Sequence, residues 1–424
     1  MFNKILYTFS AKLLTAILNL LIVVLTSRYL GAEGRGVISL LMLNITLIMM
    51  CNNFAGGGAL VYLTTRENFS QLVVPSYIWA FISASTLSFI LTAFNLSPPE
   101  YLVHLLLISI IYSLNAVNLN MLLGYERIKA YNFASLFQVF VLFVVFSGLL
   151  FGDGNRSISS YVLALYVSFS SGLIATSFLL FKKVHPLPKK NLWDVLKRLF
   201  SNGFLVQLGG LIQLLNYRLS YYLLDFFHGA AFLGIYSTGV SVAEALWIFG
   251  RSISLVQYAR ISNTTDLEYS RKLTIKLSKF SFFTTAAALI PLFLLPANIY
   301  VYIFGPEFGH INRVILCLAI GILAFSVSGM LSHYFSGIGK FHINTQASAI
   351  GFIITVAAGF GLIPKYGMAG AGITATLSYL GSTVFQLIVF CISTRTKLKE
   401  FFPENEDIKF VRNEMKLFFQ KNTN

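Results

Sequence analysis

Four charged side chains lie inside two long apolar segments near the middle of the chain, and they are the residues best placed to do chemistry. Arg218 and Asp225 belong to the first segment, and Glu244 and Arg251 belong to the second. In a helix, positions seven apart fall within about 20° of each other, so the two charges of each segment share a face. A charge at bilayer depth costs at least about 2.5–3.5 kcal/mol and normally faces a bundle interior or a water-filled cavity. The hairpin 202–259 therefore predicts one wall of a cationic, membrane-embedded cavity.

The composition is that of a membrane protein. Of the 424 residues, 56% are hydrophobic and 11% are charged, whereas soluble domains contain about 25% charged residues. Apolar runs recur along the chain, and each has about the twenty residues that a helix needs to cross the hydrocarbon core. We predict an all-α polytopic membrane protein with twelve transmembrane helices, at 8–30, 37–62, 75–95, 102–123, 132–152, 158–181, 203–226, 230–258, 278–303, 312–335, 346–363 and 368–393.

The distribution of basic residues orients these spans. An even number of spans places both termini on one side of the membrane. Of the 31 Lys and Arg residues, 24 fall on that side, five fall on the other side, and Arg218 and Arg251 lie within spans. The positive-inside rule therefore predicts that both termini are cytoplasmic. The same rule accounts for the net charge of +15, so the charge does not indicate nucleic-acid binding.

The spans divide into two halves of six. We predict an N-terminal six-helix bundle over 1–181, a cytoplasmic amphipathic linker over 182–202, a C-terminal six-helix bundle over 203–393 and a cytoplasmic basic amphipathic tail over 394–424. In the linker and the tail, apolar residues recur at helical spacing opposite lysines. This pattern predicts helices that lie on the inner membrane surface and bind anionic lipids there.

Two short motifs recur at equivalent places in the halves. Residues 31–39 align with 229–237 at an offset of 198, and residues 124–135 align with 337–348 at an offset of 213. Because each half contains an even number of spans, both halves insert the same way round. The sequence therefore predicts two parallel repeats around a central cavity near the bilayer midplane.

The chain resembles a known family in three of its glycine-rich segments. These are Ser27–Gly36 (SRYLGAEGRG), its counterpart Leu233–Ser237 (LGIYS) and Tyr366–Gly372 (YGMAGAG). Together with the two six-span halves, they resemble the polysaccharide lipid flippases, which are Wzx-type O-antigen and repeat-unit translocases of the multidrug/oligosaccharidyl-lipid/polysaccharide (MOP) exporter superfamily. The resemblance extends through residue 393. It implies a V-shaped pair of bundles that moves an undecaprenyl-pyrophosphate-linked oligosaccharide across the bacterial cytoplasmic (inner) membrane by alternating access.

The pyrophosphate of such a substrate would need cationic partners inside the membrane. A guanidinium stays charged there and can grip phosphate oxygens with two hydrogen bonds. Arg218 and Arg251 are therefore predicted to bind the pyrophosphate, and Arg28 matches by position an arginine that such flippases often keep. Two alternatives remain open for the deep arginines: neutralisation by the carboxylate seven residues away on the same helix, Asp225 or Glu244, or snorkelling to the nearer interface. Glu244 is also the candidate for a proton-linked or cation-linked step.

Amides and tyrosines within the spans are candidate contacts for the sugars. The alternative for the amides is hydrogen bonding between helices, which contributes about 0.6–2 kcal/mol for each bond. The candidate sugar contacts are Asn115, Asn118, Gln207, Asn216, Tyr217 and Tyr221.

The sequence shows no motif for a metal, a cofactor or an enzymatic reaction. The three cysteines lack a pairing pattern, His104 and His333 lack ligand-spaced partners, and no P-loop or Ser–His–Asp grouping is present. We therefore predict a secondary transporter without a cofactor. Its expected partners are the lipid-linked oligosaccharide, membrane lipids, and a polymerase and a chain-length regulator of the same pathway.

Two alternative functions remain open. A multidrug exporter of the same superfamily is expected to have an acidic, cation-receiving cavity, and the two deep arginines argue against one. A membrane polysaccharide polymerase usually carries a sizeable outward loop for its acceptor, whereas every outward connection here is at most roughly ten residues, too short for a domain of its own.

Overall fold

The computed structural model describes residues 2–152, 154, 156–181 and 191–402, and this part of the chain is helical. The predicted surface helix of the tail and the lysine-rich first half of the linker, 182–190, lie outside the described residues. The helices are α1 (Phe2–Asn52), α2 (Gly57–Leu63), α3 (Phe69–Ala93), α4 (Leu102–Gly124), α5 (Ile128–Phe151), α6 (Ile158–Phe181), α7 (Leu192–His228), α8 (Ala230–Ala245), α9 (Trp247–Ser262), α10 (Leu267–Leu294), α11 (Ala297–Phe304), α12 (Ile311–Gly337) and α13 (Phe341–Thr394).

Eight helical stretches of the described chain are long and apolar enough to cross a membrane, and two of them have 54 residues each. At 1.5 Å per residue such a stretch would extend about 80 Å, which is more than twice the hydrocarbon thickness. Each therefore has to turn back within its length. Backbone breaks at Gly31 in α1 and at Gly367 in α13 provide the turns.

Side-chain contacts confirm that both long helices fold back on themselves. The Ser382 hydroxyl donates to the Ala347 carbonyl oxygen at 2.9 Å, although 35 residues separate them along α13. Arg35 Nη1 lies 3.5 Å from Thr26 Oγ1, whereas nine residues of straight helix would separate them by about 13 Å. With two crossings each for α1 and α13, one each for α3–α6, α7, α10 and α12, and one for α8 and α9 together, the described chain accounts for the twelve predicted spans.

The repeated motifs adopt the same backbone conformation in both halves. Gly31 (φ 70°, ψ −176°) and Gly229 (φ 84°, ψ 173°) each join two antiparallel helices. At the other repeat, Glu126 and Gly339 occupy equivalent positions with φ of 56° and 78°. We call the face with the turns at Gly31, Gly229 and Gly367 the outer face, and the opposite face, which the charge distribution predicts to be cytoplasmic, the basic face.

Substitution of Gly229 tests whether this turn conformation needs glycine. A Cβ at Gly229 would meet no atom within 4 Å, so the penalty of an alanine comes from the backbone angle alone. That region of φ and ψ is open almost only to glycine, and we expect Gly229→Ala to cost about 1–3 kcal/mol. Thermal unfolding of the purified protein in detergent measures this cost. The control is Gly361→Ala, at a helical glycine whose Cβ also meets nothing; an equal melting temperature in both variants would contradict the argument.

The two halves meet near the outer face along α1 and α8. A Cβ on Gly36 would overlap the Ala230 carbonyl oxygen, and a Cβ on Gly234 would overlap the Ala32 carbonyl oxygen, so the two backbones touch. The repeat offset of 198 relates Gly36 to Gly234 and Ala32 to Ala230. The two contacts are therefore equivalent, with glycine supplied by the N-terminal half in one and by the C-terminal half in the other. We call this contact the outer seal; it comprises Ser27, Ala32, Gly36 and Ser39 of α1 and Ala230, Gly234, Ser237 and Thr238 of α8.

Hydroxyl pairs complete the outer seal. Ser39 Oγ lies 2.8 Å from Ser237 Oγ, which is the residue that the repeat aligns with it. Ser27 Oγ lies 3.1 Å from Thr238 Oγ1. Small residues let membrane helices approach closely, and hydroxyls then bond across the interface. The outer face is therefore closed between the halves.

Helix α7 continues without a break through the predicted boundary between linker and bundle at residue 203. Near its start, Val195 and Leu199 are fully buried in a hydrophobic cluster of the N-terminal half, and Arg198 forms an ion pair of 2.8 Å with Glu67. The described part of the linker is therefore a helix packed on the N-terminal half, and its position at the membrane surface stays a prediction.

Candidate functional site

Arg218 and Glu244 form an ion pair between α7 and α8. Arg218 Nη1 donates to Glu244 Oε1 at 2.8 Å, and Nη2 donates to Oε2 at 2.6 Å. The side chains are 23% and 18% exposed, so the pair is partly open to its surroundings. Two parallel bonds of this kind are the strongest arrangement that a guanidinium makes with a planar anion. The same fork of donors could hold phosphate oxygens in place of the carboxylate.

This pairing differs from the neutralisation that the sequence left open. Arg218 does not bind Asp225 on its own helix, because seven residues rise about 10 Å along the axis and put the groups beyond ion-pair distance. Asp225 lies two turns nearer the outer face and is half-buried. The side chain of Arg251 lies outside the described residues, although its backbone belongs to α9.

Aromatic rings close one side of the ion pair. The Arg218 guanidinium lies 5.1 Å from the centre of the Tyr221 ring. Tyr221 in turn packs edge-on against Tyr236, with ring centres 5.8 Å apart. Tyr221 is 6% exposed in this conformation, and its contact with a sugar stays a prediction. Tyr221 supports the guanidinium through a cation–π contact.

Arg28 lies at the outer rim and not beside Arg218. Its side chain is exposed, donates to the Tyr302 carbonyl oxygen and lies 5.6 Å from the Tyr302 ring centre. Tyr302 belongs to α11 near the outer face. The structure therefore does not bring Arg28 into one site with Arg218, and the predicted pyrophosphate contact would apply only where the substrate leaves.

A third arginine, Arg35, is buried within the membrane part and was not predicted as a site residue. It is 8% exposed, its nearest polar partner is Thr26, and its Nε has no partner among the described residues. Arg35 is one of the five basic residues that the charge count assigns to the outer side, because it lies four residues after the glycine turn at Gly31. The sequence does hold one signal for Arg35. It lies four residues before Ser39, a spacing that puts both side chains on one face of a helix.

Two of the predicted sugar contacts hold helices together. Asn115 Nδ2 donates to Gln138 Oε1 at 2.6 Å, and Asn115 Oδ1 accepts from Thr176 at 2.8 Å. Asn118 Oδ1 accepts from the Tyr77 hydroxyl at 2.6 Å. Asn115 and Asn118 are 1% and 0% exposed. In this conformation α4 uses these amides to bind α3, α5 and α6, and sugar contact by either one stays a prediction.

A cavity of about 1080 Å³ opens within the C-terminal half, and we call it the C-bundle cavity. It is bounded by α7, α9, α10, α12 and α13, and its lining reaches Phe341 and His342 at the basic end of α13. Its other end is closed by an aromatic cluster, in which the closest ring centres lie 4.3 Å apart. The members of the aromatic cluster are Tyr217, Trp247, Phe325 and Tyr379.

The ion pair lies just beyond the closed end of this cavity. Arg218 follows Tyr217 on α7, and Glu244 precedes Trp247 by three residues, about one turn. Arg218 is nearer the outer face than Tyr217, and Glu244 is nearer the outer face than Trp247. The cavity thus leads from the basic face to an aromatic cluster with a guanidinium–carboxylate pair behind it.

The remaining predicted sugar contacts divide between the cavity and the boundary of the halves. Tyr217 and Asn216 line the cavity, but Asn216 is 3% exposed and its amide oxygen accepts from Thr355 and Ser378. Gln207 lies beside Gly57 of the N-terminal half, because a Cβ on Gly57 would come within 2.7 Å of Gln207 Nε2. Tyr217 is therefore the predicted contact best placed to meet a ligand.

Within the described residues, no group of three His, Cys, Asp or Glu side chains could hold a metal ion. The groups that could bind a ligand in this region are thus the guanidinium, the amides, the hydroxyls and the aromatic rings.

The chain is similar in sequence to two known proteins. The chain is 26% identical over 348 residues to the capsular polysaccharide biosynthesis protein CapF of Staphylococcus aureus, a match that covers 74% of this chain and 87% of CapF. It is 25% identical over 285 residues to the uncharacterized membrane protein MJ1068 of Methanocaldococcus jannaschii, and the match covers 63% of this chain and about half (54%) of that relative. No protein-family model matches the chain.

Solved structures share the fold over almost the whole chain. The lipid II flippase MurJ in an inward closed conformation superposes with a TM-score of 0.75 at 14% identity and covers 98% of this chain and 99% of MurJ. An inward-facing multidrug resistance MATE family transporter of the MOP superfamily gives a TM-score of 0.72 at 15% identity and covers 90% of this chain and 96% of that transporter. The chain has the twelve-span fold of MOP superfamily transporters, and the predicted fold is confirmed.

Proposed function

We propose that this protein is a flippase that carries a lipid-linked oligosaccharide across the membrane by alternating access. We propose, more specifically, that the substrate is an undecaprenyl-pyrophosphate-linked repeat unit of a surface polysaccharide and that the membrane is a bacterial inner membrane. Similarity to CapF, whose name places it in capsular polysaccharide biosynthesis, supports the polysaccharide. The fold that the chain shares with the lipid II flippase MurJ supports movement of a lipid-linked sugar.

The observation that carries the proposal is the two-pronged Arg218–Glu244 pair behind the C-bundle cavity. A charged side chain at this depth is costly and is normally either paired with an opposite charge or used in binding or transport. Once the aromatic cluster moves aside, a pyrophosphate entering from the basic face would compete with the Glu244 carboxylate for the two donors of Arg218. The released Glu244 would then be available for the proton-linked or cation-linked step predicted for it.

The closed outer seal fits the loading step of such a cycle. With α1 and α8 in contact near the outer face, the cavity communicates with the basic face, where the charge distribution places the cytoplasm. Transport would then require the outer seal to open after the headgroup is bound. The polyprenyl chain would stay in the lipid throughout, since it gains nothing by entering a polar cavity.

A multidrug exporter of the same fold is less consistent with the site. Such a transporter is expected to offer an unpaired carboxylate to a cationic drug, whereas both oxygens of Glu244 already bind Arg218. The described residues that line the C-bundle cavity include no Asp or Glu.

Reconstitution into proteoliposomes tests the proposed function. The vesicles are loaded with undecaprenyl pyrophosphate that bears a fluorescent disaccharide, and appearance of the label in the opposite leaflet is followed by quenching with a membrane-impermeant reagent. We expect transfer that needs the protein, and no transfer of ethidium, a cationic drug, under the same gradient. Transfer of ethidium without transfer of the lipid would overturn the flippase and favour the exporter.

A further inference from the structure

A short turn of the C-terminal half contacts the glycine turn of α1 at the outer face. It is the 3₁₀ turn Pro306–His310, which lies between α11 and α12. Its Glu307 carboxylate accepts a hydrogen bond from the backbone N–H of Ala32, and a Cβ on Gly31 would lie 3.0 Å from Glu307 Oε2. Because Ala32 begins the second arm of α1, 32–52, Glu307 caps this arm from the opposite half of the molecule.

A carboxylate in this place stabilises the end of the arm. The first backbone N–H groups of a helix have no partner within the helix, and the helix dipole favours a negative charge beside them. Such a cap normally comes from the residue that directly precedes the helix, whereas Glu307 lies 275 residues away along the chain. The cap of α1 therefore exists only while the two halves are together at the outer face.

The same connection between α11 and α12 also contacts the chain just before Gly31. Arg28 donates to the Tyr302 carbonyl oxygen, and a Cβ on Gly305 would lie 3.6 Å from the Arg28 Cα. The turn of α1 is therefore held on both sides of Gly31 by residues 302–307. These contacts do not involve α8, so they are separate from the backbone contact of the outer seal.

The N-terminal half contains the equivalent turn but not the equivalent contact. Pro99–Tyr101 (PEY) directly precedes α4, and Pro306–Phe308 (PEF) stands in the turn that precedes α12, at an offset of 207 that falls between those of the two repeated motifs. The repeat therefore predicts that Glu100 caps α8 as Glu307 caps α1. Among the described residues, however, no side chain caps the start of α8, and Glu100 is exposed.

The residue before each turn gives a physical reason for this difference. Gly305 has φ 114° and ψ 168°, whereas Pro98, at the equivalent position, has φ −60° and ψ 136°. A positive φ of this size is open almost only to glycine, and the proline ring fixes φ near −65°. The chain therefore enters the two turns in different directions, and the turn after Gly305 brings its glutamate to the opposite half.

We propose that Glu307 is an outer latch, which holds the outer face closed while its carboxylate caps α1 and lets the face open when this hydrogen bond breaks. The C-terminal half supplies the carboxylate, and the N-terminal half supplies the helix end. The latch acts from one half only, since Glu100 makes no corresponding contact with the described residues of α8. The inference goes beyond the proposed function, because a transporter with this fold would have to break the same contact to open its outer face for any substrate.

Cysteine labelling at the outer seal tests the latch without any substrate. The full chain, with its native cysteines replaced by serine and with Ser39→Cys added, is placed in nanodiscs and treated with a polar maleimide. Labelling reports the fraction of molecules whose outer face is open, because Ser39 is 7% exposed in the closed state. We expect Glu307→Ala to speed labelling about fivefold or more, which corresponds to about 1 kcal/mol, the usual contribution of a helix cap.

Two further variants make the test specific. Glu100→Ala is the matched control, because it removes the same side chain at the equivalent place in the other half, and it should leave the labelling rate unchanged. Glu307→Gln should label at a rate nearer to that of the wild type than to that of Glu307→Ala, because the amide oxygen can accept the same N–H and amides cap helices about as well as carboxylates do.

The latch is overturned if Glu307→Ala leaves the labelling rate unchanged or if Glu100→Ala raises it as much. Equal rates in Glu307→Gln and Glu307→Ala would show that the hydrogen bond to Ala32 does not hold the face closed. A lower melting temperature of Glu307→Ala with unchanged labelling would assign Glu307 a purely structural role and also overturn the latch. Because no substrate is added, none of these results bears on the flippase, which the proteoliposome assay tests separately.

Discussion

Replacing Arg218 by alanine is expected to reduce transfer of the lipid-linked oligosaccharide by about a hundredfold or more. The variant leaves the Glu244 carboxylate inside the membrane without its partner. Breaking a buried ion pair in this way lowers the stability of the folded protein by about 3–5 kcal/mol. Partial exposure of both groups favours the lower end of that range. The variant also removes two hydrogen bonds that the guanidinium would make to the pyrophosphate, each worth about 1.5–3 kcal/mol, and a loss of about 3 kcal/mol from binding of the transition state corresponds to roughly a hundredfold in rate. The proteoliposome assay measures the rate, and thermal unfolding measures the accompanying loss of stability.

A double variant distinguishes a binding arginine from a structural one. In Arg218→Gln with Glu244→Gln, both charges are gone, and removing a whole buried pair is often neutral for stability. We therefore expect a melting temperature near that of the wild type together with transport as low as in Arg218→Ala. Arg218→Lys should be intermediate, because an ammonium keeps the charge but not the two-pronged geometry. Normal transport by the double variant would remove Arg218 from the substrate site.

Adding a methyl group at the outer seal is the second change with a large expected effect. In Gly234→Ala the new Cβ would overlap the Ala32 carbonyl oxygen, a backbone atom that no side-chain rotation can move away. We expect α1 and α8 to separate, the outer face to stay open and transport to stop. Because the contact repeats between the halves, Gly36→Ala should have the same effect through the Ala230 carbonyl oxygen.

Accessibility of Ser39 reports the state of the outer seal. In a chain whose native cysteines are replaced by serine, Ser39→Cys is labelled from outside with a membrane-impermeant maleimide. Labelling should be slow in the wild-type background, where Ser39 is 7% exposed, and at least tenfold faster with Gly234→Ala. Gly361→Ala serves as the control and should leave labelling slow. Equal labelling in all three backgrounds would show that the outer seal does not depend on close backbone contact.

The membrane architecture could be predicted from the sequence because it depends on local properties. Span number follows from the lengths of apolar runs, and the glycine turns follow from motifs that recur at a fixed offset. The similar backbone angles at Gly31 and Gly229 show that the repeat reflects real structural equivalence. These features need no knowledge of which helix touches which.

The partners of the charged and polar side chains could not be predicted, because they depend on helix neighbours. Arg218 finds Glu244 on the adjacent helix, and only the axial rise could have excluded Asp225 beforehand. Asn115 and Asn118 share one helix face with a spacing of three, as a sugar-binding pair would. That face turns toward Gln138 and Thr176, which are distant in the sequence.

The C-bundle cavity lay equally beyond prediction, since five helices contribute to it and none shows a distinctive pattern. Gln386 would be classed from sequence as one more buried amide. Its role as the centre of a network appears only when Ser328, Ser332 and Asn344 are brought around it.

Helix α7 is shared between the two bundles, and this has a mechanical consequence. Its first turns are anchored in the N-terminal bundle through Val195 and Leu199, and its later turns bind α13 through Asn216. Any tilting of one bundle against the other must therefore twist or bend this rod between its two anchors. The stretch between them contains Gly209 and Gly210, the residues least able to stiffen a helix. The covalent junction between the halves and the pivot between them would then lie at different places along the chain.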